Sequence, residues 1–115
     1  MRVFRGQHPE TPRLASDLSA IYQQQGRVVE AHATLEKAVT LRKNLLGDEH
    51  QDTLSTLEQL ALSYQRLGEL RKAEETMTKV IEDSVKVLGK EHPDTISRTD
   101  SLTSILESLN PELEL

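Results

Sequence analysis

The sequence predicts an all-α fold in which pairs of helices stack side by side as a solenoid of about two and a half repeats. The first observation is a short segment that occurs three times, so that His8, His50 and His92 are spaced 42 residues apart. A period of roughly 20 to 50 residues is typical of stacked repeat architectures. Apolar residues between these segments recur at helical spacing, and a glycine follows each long helix. Five helices are therefore expected.

The first repeat is predicted over about residues 8–47 and begins with a short helix at Pro12–Gln25. In this helix Leu14, Leu18 and Ile21 recur at spacings of four and three, which places them on one face that we expect to be buried. A longer second helix is predicted from about Val28 to Leu46. The short helix is expected to have roughly 14 residues and the long helix roughly 19. At 1.5 Å per residue, their lengths would be about 21 and 28 Å.

The second repeat, about residues 50–89, copies this plan with a second helix that begins at Leu70. The turn glycines and the small residue pair Ala31 and Ala73 match at the 42-residue spacing. Because a small side chain allows close approach of two helices, Ala73 is expected where two helices nearly touch.

The third repeat is predicted only in part, over residues 92–110, because its first helix has no successor in the sequence. Asn110 takes the position of the earlier turn glycines and is expected to be a left-handed cap, and Pro111 blocks further helix. The tail, 111–115, is expected to fray. Because no second helix follows, we expect the apolar face of this last helix to be uncovered. Such a face predicts end-to-end association or a homodimer. Its residues are Ile105, Leu106 and Leu109.

The first residues, Val3 to Gly6, resemble the end of a long helix, which indicates either an upstream repeat or a divergent start.

The recurring histidine segment is predicted to be a structural joint between one repeat and the next. Asp52 or Asp94, or the threonine that follows, is expected to cap the next helix. The histidines lack a second His or Cys at ligand spacing, so we expect them to brace the turn without binding metal. His32 is expected to face solvent. The positions that the repeat makes structural are Tyr22, Gly26, Ala31, Gly47, His50, Tyr64, Gly68, Ala73, Gly89 and His92.

The pattern of His50 to Thr53, Leu60 to Gly68, Ala73 and Leu88-Gly89 resembles the long tetratricopeptide repeat (TPR) of kinesin light chains. Similar arrays form the sensor regions of many fungal and bacterial nucleotide-binding, NOD-like proteins. The resemblance implies a right-handed α–α superhelix and a single TPR domain over residues 1–115. It also implies a non-enzymatic module that binds a peptide or protein. The alternative is a structural segment of a longer array, or a self-associating solenoid without a ligand.

Composition excludes other classes of function. A net charge of −5 argues against nucleic acid, which needs clustered Lys and Arg. No apolar run reaches the roughly 18 residues of a membrane-spanning helix. The chain has no cysteine, which fits a cytoplasmic protein. There is no Gly-rich phosphate loop and no Ser/His/Asp set, so no enzyme activity and no cofactor are expected.

The short helices are expected to line a concave groove for the partner. Four acidic and two basic residues among the groove positions favour peptides that carry Lys or Arg. These positions are Arg13, Ser16, Asp17, Ala20, Gln23, Gln24, Ser55, Glu58, Gln59, Leu62, Gln65, Arg66, Ser97, Asp100, Ser101, Ser104, Glu107 and Ser108.

Overall fold

The computed structural model describes residues 11–111, and within this range the chain is built from five α-helices without strands. The helices are α1 (Thr11–Gln24), α2 (Val28–Leu46), α3 (Gln51–Leu67), α4 (Leu70–Leu88) and α5 (Pro93–Leu109). The predicted all-α fold with five helices is confirmed. The helix end predicted at Val3 to Gly6, the start of the first repeat at residue 8 and the frayed tail after Pro111 lie outside the described residues.

The predicted alternation of short and long helices is present. Both α2 and α4 have 19 residues, whereas α1 has 14 and α3 and α5 have 17. Each helix packs against its neighbours in the chain, and α3 also contacts α5. The long helices therefore lie between successive short ones. No helix among the described residues is long and apolar enough to cross a membrane.

The glycines that end the helices adopt two different backbone conformations. Gly68 closes α3 in the left-handed conformation, with φ 84° and ψ 6°, and its N–H donates to the carbonyls of Gln65 and Tyr64. Gly47 closes α2 at φ 94° and ψ 164°, a region that essentially only glycine occupies. The left-handed cap predicted at Asn110 is wrong, because this residue has φ −139° and ψ 85°. The ring of Pro111 restricts the residue before it to extended backbone.

The helix starts correct the predicted caps. The Nδ1 atom of His50 accepts a hydrogen bond from the backbone N–H of Asp52 at 3.0 Å, and His92 does the same for Asp94 at 3.1 Å. The histidines are thus the N-caps, while the two aspartates lie in the first turn of α3 and α5. A carboxylate there is favourable beside the positive end of the helix dipole. The joint is structural, as predicted, but histidine supplies the cap.

The main core lies between α3, α4 and α5. Ala73 is fully buried in it beside Met77, as the repeat pattern predicts, and the corresponding Ala31 in α2 is also fully buried. The predicted exposure of the terminal helix is wrong for Ile105, which is fully buried in this core, while Leu106 and Leu109 are half-buried. The reason is that α4 covers the face of α5 on which Ile105 lies.

The uncovered apolar face belongs to α1. Leu14, Leu18 and Ile21 were predicted to be an inner stripe, yet their exposed fractions are 57%, 42% and 49%. In α1 the buried position is Ser19, which is 2% exposed. The periodicity identified one face of α1 correctly, but α2 packs against a different one.

An arginine and a hydroxyl group meet at both junctions between a long helix and the next short helix. Arg42 of α2 donates from Nη1 to Thr56 Oγ1 of α3 at 2.7 Å. At the next junction Arg98 of α5 donates from Nη1 to Ser84 Oγ of α4 at 3.0 Å. Ser84 is 42 residues after Arg42, and Arg98 is 42 residues after Thr56. The same two repeat positions therefore form a pair at both junctions. The long helix supplies the arginine at the first junction, and the short helix supplies it at the second.

Candidate functional site

The short helices form one face of the stack, which we call the short-helix face. Between α1 and α3 it holds a cleft of about 130 Å³. Six of its seven lining residues were predicted groove positions, and Ser19 is the addition. The residues that line the cleft are Ser16, Ser19, Ala20, Gln23, Gln59, Leu62 and Arg66.

Further along the same face, Gln65 joins α3 to α5. Its Nε2 lies 3.1 Å from Ser108 Oγ and 3.3 Å from Ser104 Oγ. All three residues were predicted to face the groove. The amide of Gln65 is thus engaged within the protein, and it fixes the spacing of two short helices.

A buried arginine, which the sequence did not reveal, organises the remaining α3–α5 contact. Arg98 is only 3% exposed, and its Nε donates to Glu58 Oε1 at 3.1 Å. Its Nη2 donates to Ser55 Oγ at 3.2 Å, in addition to the bond to Ser84. Ser55 and Glu58 were predicted groove residues. Since Arg98 neutralises Glu58, three acidic positions remain opposite two basic ones, and the face is less acidic than predicted.

The other predicted positions are spread along the described lengths of the short helices. Ser101 of α5 is half-buried, and its hydroxyl donates to the carbonyl of Ser97 at 3.3 Å. The exposed positions are Arg13, Asp17, Gln24, Ser97, Asp100 and Glu107.

His32 is another residue that sequence reasoning misplaced. It is 9% exposed, its Nδ1 lies 2.9 Å from Ser63 Oγ of α3, and its ring centroid lies 4.5 Å from that of Tyr64. The signal was available, because His32 precedes the buried Leu35 and Val39 by three and seven residues, on the same face of α2. His32 is therefore a packing residue between α2 and α3.

The shifted pKa values of this part of the chain have simple causes. The resolved pKa shifts among the described residues belong to two exposed ion pairs, Arg27 with Glu30 and Lys86 with Glu49. A hydrogen bond from Lys86 lowers the pKa of Glu49, and one from Arg27 lowers the pKa of Glu30. Across residues 11–111 no three His, Asp or Glu side chains converge to hold a metal ion.

Comparison with known proteins agrees with this geometry. The tetratricopeptide repeat profile matches residues 10–84. No match was found among curated proteins. A crystal structure of nearly identical TPR-like repeats from a candidate kinesin light chain of Podosopora anserina superposes with a TM-score of 0.83 at 29% identity, over 93% of this chain and 51% of that one.

A second crystal structure, of a point variant of the same repeats, gives a TM-score of 0.83 at 27% identity, over 95% of this chain and 51% of the other. The chain thus spans about half the length of the solved structures that it matches. Stacked helix pairs, turn glycines and a profile match over more than half of the sequence agree on one conclusion. The chain belongs to the tetratricopeptide repeat family and has the kinesin-light-chain-like form of the repeat.

Proposed function

We propose that this chain is a non-enzymatic module that binds a peptide or protein segment on its short-helix face. Tetratricopeptide repeats generally mediate protein–protein interaction, and their fold is a typical non-catalytic scaffold. The observation that supports this face is the cleft between α1 and α3, which brings side chains from two repeats together.

The lining of the cleft suits an extended main chain. The side-chain amides of Gln23 and Gln59 each offer donors and an acceptor, which are the groups that a peptide backbone requires. Ala20 and Leu62 add apolar surface between them. Polar groups that fix the orientation of a ligand beside apolar surface are features of binding clefts.

The charges on the short-helix face indicate which peptides it would prefer. Asp17, Asp100 and Glu107 are exposed on the short helices, and they support a preference for peptides that carry Lys or Arg. Glu58 does not contribute, since Arg98 neutralises it. The preference is therefore expected to be modest and to weaken with added salt.

The test is a titration of the labelled chain with pools of basic and acidic peptides, followed by fluorescence anisotropy. Gln59→Ala should weaken binding of the best peptide, because it removes an amide that lines the cleft. Arg71→Ala, an exposed substitution on α4, is the control and should leave binding unchanged. Equal loss in both variants would contradict the assignment of this face, and tighter binding of the acidic pool would contradict the charge preference.

A second candidate function is favoured by the open face of α1: the chain is one segment of a longer array, such as the sensor region of a NOD-like protein. The exposed Leu14, Leu18 and Ile21 support it, as does the greater length of the similar solved structures. A chain extended by one further repeat should then unfold at higher temperature, whereas an unchanged melting temperature would count against it.

A further inference from the structure

The outer face of α1, formed by Leu14, Leu18 and Ile21, corresponds to a buried face in each of the other short helices. At the matching positions of α3, Thr56, Leu60 and Ser63 are 1%, 7% and 0% exposed. At those of α5, Arg98 and Ile105 are 3% and 0% exposed, and Leu102 is half-buried. In both cases the long helix that precedes the short one provides the cover.

The middle of the cover is apolar at both junctions. Leu35 and Val39 of α2 pack with Leu60 of α3. Met77 and Ile81, at the same positions in α4, belong to the cluster that contains Leu102 and Ile105 of α5. A helix with two apolar residues four apart therefore fits the face. Leu18 matches Leu60 and Leu102. Ile21 matches Ile105 of α5, whereas α3 has Ser63 there, with its hydroxyl 2.9 Å from His32 Nδ1. The face of α1 therefore offers the apolar surface that α5 offers.

The junctions also differ at the Leu14 end of the face, where the arginine–hydroxyl pair lies. Position 56 is threonine opposite Arg42, and position 98 is arginine opposite Ser84. The corresponding residue of α1 is Leu14, which can neither donate nor accept a hydrogen bond. An arginine brought against Leu14 would be buried without a partner, and a serine there would be too small to fill the space that the arginine–hydroxyl pair fills at the other junctions.

We infer that the outer face of α1 docks the second helix of a further tetratricopeptide repeat, and that this helix carries an apolar residue where α2 has Arg42 and α4 has Ser84. The inference rests on the second candidate function, not on peptide binding at the short-helix face. A second copy of this chain is not the expected occupant. Its α2 and α4 carry Arg42 and Ser84, and each is already packed between two short helices.

The test uses the whole chain and three synthetic helical peptides. Each peptide has the sequence of Leu70–Leu88, with Ser84 retained, Ser84→Leu or Ser84→Arg. Binding is followed by amide chemical shifts of the isotope-labelled chain, a measurement that detects weak complexes and locates them. The chain is used as wild type and as Leu14→Arg, an exposed substitution whose folding is checked by circular dichroism.

The wild-type chain should bind the Ser84→Leu peptide about tenfold more tightly than the other two, since about 1.4 kcal/mol corresponds to a factor of ten. The Leu14→Arg chain should instead prefer the Ser84 peptide, because that combination recreates the pair of Ser84 with Arg98. Shift changes should centre on α1 around Leu18 and Ile21.

Three results would overturn the inference. They are no binding of any peptide at α1, equal binding of all three by both chains, and self-association of the wild-type chain that Leu14→Arg abolishes. The last result would identify a second copy as the occupant. Gln59→Ala should not change these shifts, so a failure here is separate from a failure of peptide binding at the cleft.

Discussion

Replacement of Arg98 by threonine should destabilise the protein, and a second substitution should offset part of the loss. In Arg98→Thr the guanidinium that bonds Glu58, Ser84 and Ser55 is lost. Breaking a buried ion pair costs about 3–5 kcal/mol. The Glu58 side chain is 22% exposed and can recover some hydration, so we expect a loss of about 2–3 kcal/mol.

Ser84→Arg alone should also destabilise, because it places a second guanidinium beside Arg98 in a buried junction. The double variant, Ser84→Arg with Arg98→Thr, copies the arrangement of Arg42 and Thr56. It should be more stable, by about 0.5–3 kcal/mol, than the sum of the two single losses predicts. It stays less stable than the wild type because Glu58 and the Thr95 hydroxyl lack the partners that Arg98 and Ser84 provide.

The assay is urea unfolding followed by far-ultraviolet circular dichroism for the four chains of this cycle. Arg71→Thr, on an exposed part of α4, is the control and should change stability by less than about 0.5 kcal/mol. If the double variant is as unstable as the sum of the two single variants, the two positions are not an exchangeable pair, and the reasoning is refuted.

Three further predictions concern the joints and the core. Gly47→Ala should cost about 1–3 kcal/mol from backbone strain alone, since an added Cβ meets no atom within 4 Å, and Gly68→Ala should cost less; equal losses in urea unfolding would be inconsistent with their different backbone angles. His50→Ala should lower the free energy of unfolding by about 0.5–2 kcal/mol, and His50→Asn by much less, because asparagine can accept the same hydrogen bond. The alanine variant should therefore melt at a lower temperature than the asparagine variant, and the reverse order would exclude a capping role for His50. Ala73→Leu should overpack the core and cost about 1–3 kcal/mol, and an unchanged melting temperature would mean that the α4 contact is loose.

The sequence alone was sufficient for the helices and their stacking, because glycines and apolar periodicity act locally. Helix α2 was predicted at Val28–Leu46, which are the bounds observed. The burial of Ala73 followed from its repetition at the 42-residue spacing. Six of the seven residues that line the cleft are positions expected on the groove side, since the position of a residue around a helix fixes the face on which it lies. Binding at these positions stays a prediction.

The errors concern residues whose environment depends on a distant partner. In the sequence Arg98 is indistinguishable from an ordinary surface charge until Glu58, 40 residues earlier, is known to lie beside it. His50 is not among the usual capping residues, so the aspartate two positions later was preferred. The apolar face of α1 was expected to be buried and is exposed, because periodicity shows that a helix has an apolar side and does not show whether another helix covers it.

The exchanged arginine and hydroxyl also fix the order of the repeats. Loss of the middle unit, from α3 to α4, would bring Arg42 of α2 against Arg98 of α5, two cations at one buried point. Duplication of that unit would bring Ser84 against Thr56, two small hydroxyls with a void where the guanidinium belongs. Recombination between repeats, which is the simplest way to shorten or lengthen an array, is therefore penalised in both directions at the middle unit. In this chain the number of repeats cannot change there unless the two junction positions change with it.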